Sequence, residues 1–472
     1  MNETAPRLLP AIQDVLAAPL IASRMEMAGR VAMIAAVRAV IDQLRTEILA
    51  GALIATRPEL LNQAIHGTLA VLDQAGLNRL GPVINATGVI LHTGLGRAPL
   101  APQAVAALAR AGGYCNLEVD LESGARRHRG YQVQAAWKQL TGSEDSLIVN
   151  NNAAATLLTL QALCRGKEVL ISRGQLIEIG GSFRLPDIFS LSGSILKEVG
   201  TTNRTHLEDY ATAIGPQTAA ILHVHPSNYR IVGFSQTPAI AELVELGKQH
   251  GILVIDDIGS GSLIDLTRYG LPAEPTFGES LQAGADIVLG SGDKLLGGPQ
   301  CGIILGRHEP VNLIRKHPLA RAVRIDKLTL GALSATLDLY CQGLAEQSIP
   351  VFQMLTASLV TLMERARRLV ESTTPTTSLT LEIREDVAEV GGGALPAVQL
   401  PTAVIGLRHS RLSAEEFSGM LRRGVGGSSQ APRVFTRIQR DQVLLDLRSV
   451  LPDQDASLAT ALKIAASKAW GI

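Results

Sequence analysis

The residues best suited to chemistry gather in Gly284 to Gly302, GADIVLGSGDKLLGGPQCG, around a single lysine, Lys294. The apolar run Ile287-Val288-Leu289 ends at Gly290, so a short buried strand hands the lysine to a loop. Gly290, Gly292, Gly297 and Gly298 let the backbone approach a bulky group. A desolvated lysine amine is the nucleophile that condenses with an aldehyde. No G-x-x-x-x-G-K-[ST] can be written through Lys294, which excludes a Walker phosphate loop. Alone, a lysine in a glycine-rich loop is most often a solvated surface residue.

Three other groups shift that balance. Ser146–Val149 reads as a strand running into Asn150-Asn151-Asn152-Ala153, a helix start whose free N–H groups can bind phosphate; an ordinary asparagine cap is the alternative. Ile252–Ile255 reads as a strand ending in Asp256-Asp257-Ile258-Gly259. A carboxylate there can keep a pyridinium nitrogen protonated and so make the ring an electron sink. The D-x-[AG] pattern favours Asp257, with Asp256 as the alternative. Pro226-Ser227-Asn228-Tyr229 follows a third strand, Ala219–Val224, and can either hydrogen-bond a cofactor ring through Asn228 or be a plain turn. Lys294 follows Asp257 by 37 residues, and this order of phosphate loop, aspartate and lysine is that of the aspartate aminotransferase-like fold, with pyridoxal 5'-phosphate as cofactor. The expected cofactor contacts are Lys294, Asp257 or Asp256, Asn151, Asn152, Ala153, Asn228 and Ser291.

The elements that must position these groups are short apolar runs alternating with alanine-rich helical stretches from about residue 81, the βα alternation of a mostly parallel, doubly wound sheet. Val169–Ser172 is a further strand; Ala153–Cys164 and Pro238–His250 are helices between strands. Leu328–Gln342 and Ile349–Ser372 read as helical. Residues 331–472 read as a linker helix and a small α/β domain with strands at Ser378–Ile383 and Val443–Asp446 and a last helix at Ala456–Ala469. Residues 1–80 form a helical domain: Ile34, Val37, Ile41, Leu44 and Ile48 recur at helical spacing and Gly51 stops the helix. Arg38 and Arg45 share one side of it, as a solvated flank or as phosphate contacts.

Lys+Arg and Asp+Glu balance at 43 each, so no global field draws the chain to nucleic acid and RNA binding must use local patches. The four cysteines lack C-x-x-C spacing, which argues against a zinc site and a disulfide framework. A start without a signal-peptide pattern and the absence of membrane-length apolar runs lead us to expect a cytoplasmic protein.

Several long stretches resemble bacterial selenocysteine synthase, the L-seryl-tRNA(Sec) selenium transferase family. Among them are INATGVILHTGLGRAPL (84–100), NLEVDLESGARRHRG (116–130), EVGTTNRTHLEDY (198–210), HPSNYRIVGF (225–234), DDIGSGSLIDL (256–266), SGDKLLGGPQCG (291–302) and HPLARAVRIDKLTLGAL (317–333), with DLRSV (446–450) near the C-terminus. Leu289-Gly290 departs from the family where an aromatic residue precedes Ser-Gly-Asp-Lys. The resemblance implies that Lys294 binds pyridoxal phosphate, and that seryl-tRNA(Sec) passes through an aminoacrylyl-tRNA to selenocysteinyl-tRNA(Sec), with selenophosphate as selenium donor. It implies that Arg97, Arg321 and Arg324 line the site. Arg321 and Arg324, three apart on an expected helix, can face one anion, or can be solvated surface charge. It further implies a homo-oligomer, a decamer built as a pentamer of dimers, with Thr201-Thr202-Asn203-Arg204 and Tyr229 at contacts between dimers. The N-terminal domain is then left to hold the tRNA, read by shape and backbone. No metal, DNA or membrane is expected. Two competing readings are a related pyridoxal lyase acting on a free amino acid or amino sugar, and a non-catalytic RNA-binding scaffold. The N-terminal domain counts against the first, and intact Asp257 and Lys294 against the second.

Overall fold

A computed structural model describes residues 8–53, 55–77, 80–180, 183–373, 378–424 and 431–467. Its centre is a seven-stranded sheet in the order Asp145–Val149, Gly302–Gly306, Ile287–Ser291, Leu253–Gly259, Thr218–Val224, Glu168–Ser172, Ile195–Val199. Six of these strands point in one direction; Gly302–Gly306 alone among the seven is antiparallel, to both its neighbours. The strands are apolar on both faces because helices cover both. Leu170, Ile221, Val254 and Val288 pack on one face with Trp137 and Phe277. Val169, Leu222, Ile255 and Leu289 pack on the other with Leu158 and Phe189. The expected mostly parallel, doubly wound sheet is therefore present.

A second sheet has the order Ile84–Ala86, Val434–Gln439, Gln442–Asp446, Gln399–His409, Leu379–Glu389. Ile84–Ala86 pairs parallel with Val434–Thr436 although more than three hundred residues separate them, so this segment belongs to the C-terminal sheet and not, as expected, to the large domain that begins near 81. Lys327–Cys341 buries Leu330, Leu333 and Leu337 in the core of the large sheet. The expected boundary at 331 thus falls inside a large-domain helix. The stretch Ile349–Ser372, expected to be helical throughout, divides into Pro350–Thr356 and Leu359–Ser372. Ala357 is extended there, and the Ser358 hydroxyl accepts from the Thr361 N–H at 3.1 Å, capping a new helix. The last helix is Asp455–Ser467; the remainder of the expected Ala456–Ala469 lies outside the described residues.

The N-terminal helices are Ile12–Leu16, Pro19–Ala28, Arg30–Leu49 and Arg57–Leu77. They close over Val15, Ile21, Met33, Val37, Val40, Ile41, Leu44 and Ala64. The buried stripe is shifted from the expected one, since Met33 and Val40 are buried where Ile34 and Ile48 are only half-buried. Arg38 and Arg45 are exposed, and Arg45 is paired with Asp42 at 2.5 Å.

Candidate functional site

Lys294 follows its strand by three residues, with Ser291 buried at the strand's end. It is 4% exposed, which removes the solvated-surface reading. The departure at Gly290 has a steric cause. A Cβ there would meet the Phe277 ring at 2.6 Å, so the aromatic group in this place arrives from another helix. The lysine Nζ donates to the Gly393 carbonyl at 3.3 Å. Burial, reinforced by the Arg97 guanidinium, holds its ammonium below the ordinary lysine range, against the carboxylates of Asp257, Asp293 and Glu274.

The two aspartates separate by strand alternation. Leu253–Gly259 runs past the expected end at Ile255 and carries both, on opposite faces. Asp257 accepts from Asn152 Nδ2 at 2.9 Å, from Thr156 Oγ1 at 3.0 Å and from the Gly259 N–H at 3.1 Å. Burial pushes its carboxyl above the ordinary range, against the Asn152 and Thr156 hydrogen bonds and the Lys294 charge. Asp256 instead meets His223 Nδ1 at 2.7 Å on the other face.

The helix Asn152–Cys164 starts beside this pair. Asn151 caps it, accepting from the Ala154 N–H at 2.8 Å, and the N–H groups of Asn152 and Ala153 have no partner among the described residues. A Cβ at Gly302 would meet the Asn151 carbonyl at 2.1 Å, so only glycine lets the helix start lie this close to the sheet. Free N–H groups at a helix start, a buried carboxylate, a buried amine and Asn152 Oδ1, unpartnered among the described residues, form a donor and acceptor set that fits pyridoxal phosphate.

Other expected site residues fall elsewhere. Asn228 is exposed and its amide donates to the Glu178 carbonyl at 2.8 Å, while its Cβ and the buried Ser227 hydroxyl both lie beside Gly393, whose carbonyl accepts from the lysine. A Cβ at Gly393 would lie 3.5 Å from Lys294 Nζ and 3.7 Å from Ser227 Oγ. Arg97 pairs with Asp293 at 2.7 Å and adopts φ 61°, a conformation costing about 1–2 kcal/mol for a residue with a side chain. Arg321 and Arg324 do not share a helix: Leu319–Ala322 ends before Arg324. Both line a different cleft, of about 490 Å³, with Arg126, Arg127 and Arg129. There the one carboxylate of Glu118 meets Arg126 and Arg129 at 3.1 Å and Arg324 at 3.7 Å.

Sequence reasoning passed over Thr156, Asp293, Ser227 and Gly393. Asp293 adjoins the lysine in the motif, and the triple glycine 391–393 was the visible signal of a tight loop. Gly391, Gly392 and Gly393 all have φ between 63° and 72°, and a Cβ on Gly391 would meet Val89 Cγ1 at 2.4 Å. Among the described residues no group of three or more His, Cys, Asp and Glu could hold a metal, and no helix is long and apolar enough to cross a membrane.

Residues 83–451 match the family model described as L-seryl-tRNA selenium transferase, and residues 6–45 the model described as selenocysteine synthase N terminal. The chain is 46% identical to the L-seryl-tRNA(Sec) selenium transferase of Carboxydothermus hydrogenoformans over 95% of each chain. It is 50% identical to that of Alkaliphilus metalliredigens over 82% of each. Among solved structures, D-glucosaminate-6-phosphate ammonia-lyase superposes with a TM-score of 0.56 at 22% identity, covering 84% of this chain and 99% of that one, a likeness of fold.

Proposed function

This chain belongs to the L-seryl-tRNA selenium transferase family, pyridoxal-phosphate-dependent enzymes of aspartate aminotransferase-like fold, and from that premise we propose how its residues convert seryl-tRNA(Sec) to selenocysteinyl-tRNA(Sec). The observation that carries the reading is the meeting of Lys294, Asp257 and the Asn151–Ala153 helix start at one buried point. Pyridoxal phosphate, when bound, supplies an aldehyde that condenses with amines and a ring that accepts the electron pair left at the α-carbon. Lys294 Nζ is the amine that holds it. Asp257 keeps the proton on the ring nitrogen, and the Asn152 and Ala153 N–H groups take the phosphate. When the cofactor does not engage its amine, Lys294 would act as a base, and the depressed proton affinity given by burial suits that task. Its Nζ removes the α-proton and delivers a proton to the departing β-hydroxyl; the Gly393 carbonyl orients it between those two transfers.

The selenium donor is an anion, selenophosphate in our reading, and arginines are its partners. Arg97 stands near Lys294. Arg321 and Arg324 line another cleft of the same chain, so we assign them to the lysine site of a neighbouring subunit in a homo-oligomer, a pentamer of dimers. Residues 1–80 hold the tRNA, and the rest of the chain divides into a large cofactor domain and a small C-terminal domain. The test is incubation of purified protein with seryl-tRNA(Sec) and selenophosphate, followed by identification of the aminoacyl group. Selenocysteine on the tRNA is the expected result; unchanged seryl-tRNA(Sec) would remove the assignment.

A further inference from the structure

An aminoacyl-tRNA carries its amino acid on the ribose of the terminal adenosine, so that nucleoside must lie beside the reacting carbon. A cleft of about 670 Å³ lies on the face of the sheet opposite Asp257. Its wall includes His223, His225 and Asp256 from the ends of adjacent parallel strands, and its cover is Leu395, Pro396 and Val398. Thr202, Asn203 and Tyr229, expected at contacts between dimers, also line it, so the subsite would lie where a second dimer meets this one. Both boundaries reach the lysine. The covering loop is the one whose Gly393 carbonyl accepts from Lys294, and Ser227, two residues beyond His225, faces the same Gly393.

The cleft contains polar atoms that the described residues leave unmatched. His223 and Asp256 satisfy one another at 2.7 Å. Glu274 is different: it is 5% exposed, and among the described residues its Oε1 has no hydrogen-bond partner, while Oε2 is 3.4 Å from His225 Nε2, which there lacks a hydrogen bond of its own. A buried carboxylate oxygen without a donor is costly, and such a group in a native fold calls for a partner from outside the chain. A nucleoside supplies what is missing, since the free ribose hydroxyl and the exocyclic amine of adenine are donors, while the purine is a flat apolar body for the Leu395–Val398 wall. The cleft at Glu118 has the opposite character, with six arginines suited to an anion rather than to a neutral base.

We propose that the Glu274–His225 cleft is the subsite for the terminal adenosine of the tRNA substrate, Glu274 accepting from the nucleoside's donors and the 395–398 wall packing on its base. The assignment rests on the tRNA-linked substrate proposed above. Holoenzyme is irradiated with seryl-tRNA(Sec) ending in 8-azidoadenosine, and the labelled peptides are mapped. Label within residues 223–240, 272–280 or 394–398 is expected; label confined to 126–129 or 315–324 would overturn the subsite. In parallel, Glu274→Gln should raise the KM for seryl-tRNA(Sec) about tenfold, the worth of one hydrogen bond to a charged group, with kcat within about threefold of the unchanged enzyme. Free adenosine should compete with the substrate, and less well in that variant. His225→Gln, which keeps the backbone and a ring-sized polar group, gives the same comparison if Glu274→Gln does not fold. An unaltered KM together with no competition by adenosine would overturn the proposal. A wild-type enzyme that makes no selenocysteinyl-tRNA at all breaks the function itself, whereas one that makes it but labels elsewhere breaks only the subsite.

Discussion

Replacing Asp257 by asparagine separates the structural from the chemical work of its carboxylate. Oδ1 accepts from both Asn152 Nδ2 and the Gly259 N–H, while Oδ2 faces the Thr156 hydroxyl, which also lies 3.0 Å from the Asn152 carbonyl. An asparagine with its oxygen in the Oδ1 place keeps the first two bonds. Its amide then donates to Thr156, whose proton turns to the Asn152 carbonyl. No buried group is left unmatched, and a buried charge is removed, so folding stability should stay within about 1 kcal/mol of the parent. The chemistry has no such substitute, because a neutral amide does not hold a proton on a pyridine nitrogen. Breaking one side of a buried charge pair costs about 3–5 kcal/mol, a factor of roughly two hundred to a few thousand in rate. Single-turnover conversion of seryl-tRNA(Sec) by holoenzyme measures the rate, and denaturant unfolding measures the stability. Asp256→Asn, which disturbs only the His223 contact, should lose less than about tenfold. Activity of Asp257→Asn within threefold of the parent, or a larger loss in Asp256→Asn, would refute the assignment.

Lys294→Met should stabilise the cofactor-free protein at neutral pH. The folded lysine binds its proton less tightly than the unfolded one, so its charge opposes folding below the folded pKa, and the penalty fades as pH rises from there to the unfolded value. Unfolding curves between pH 7 and 10 should therefore converge at the alkaline end; a constant difference would contradict this. Arg321→Ala and Arg324→Ala should leave cofactor absorbance unchanged but slow selenium transfer by about 1.5–3 kcal/mol, and loss of the cofactor would place them on its phosphate instead. Deleting residues 1–80 removes a helical unit with its own core, so the cofactor site should survive while binding of seryl-tRNA(Sec) falls, measured at fixed salt; unaltered affinity would give the domain to assembly.

The elements that deliver the site were legible because each is a local signal. An apolar run followed by polar or glycine residues marks the end of a buried strand, and three such ends carry Asn151, Asp257 and Lys294. What escaped were features that no window contains. Gln399–His409 holds Pro401 and Gly406, which break a strand pattern, yet full register with Leu379–Glu389 makes it the centre of the small sheet's longest pairing. Gly302–Gly306 lay hidden because its bounding glycines looked like more of the lysine loop, although it is the antiparallel strand that fixes that loop against Asn151.

The choice between Asp256 and Asp257 shows the same limit at the scale of one residue. Both are acidic, both end one apolar run, and sequence reasoning favoured Asp257 only through the glycine two places on. Register decides it physically. Asp257 lies opposite Leu289 and Val224, on the face covered by the helix that carries Asn152 and Thr156, whereas Asp256 lies opposite Val288 and His223. A slip of one residue in this strand would exchange the two carboxylates between the cofactor face and the Glu274 cleft. The hydrogen bonds from Asn152 and Thr156 to Asp257 therefore do two things at once: they tune a carboxylate and they lock the register that puts it under the lysine.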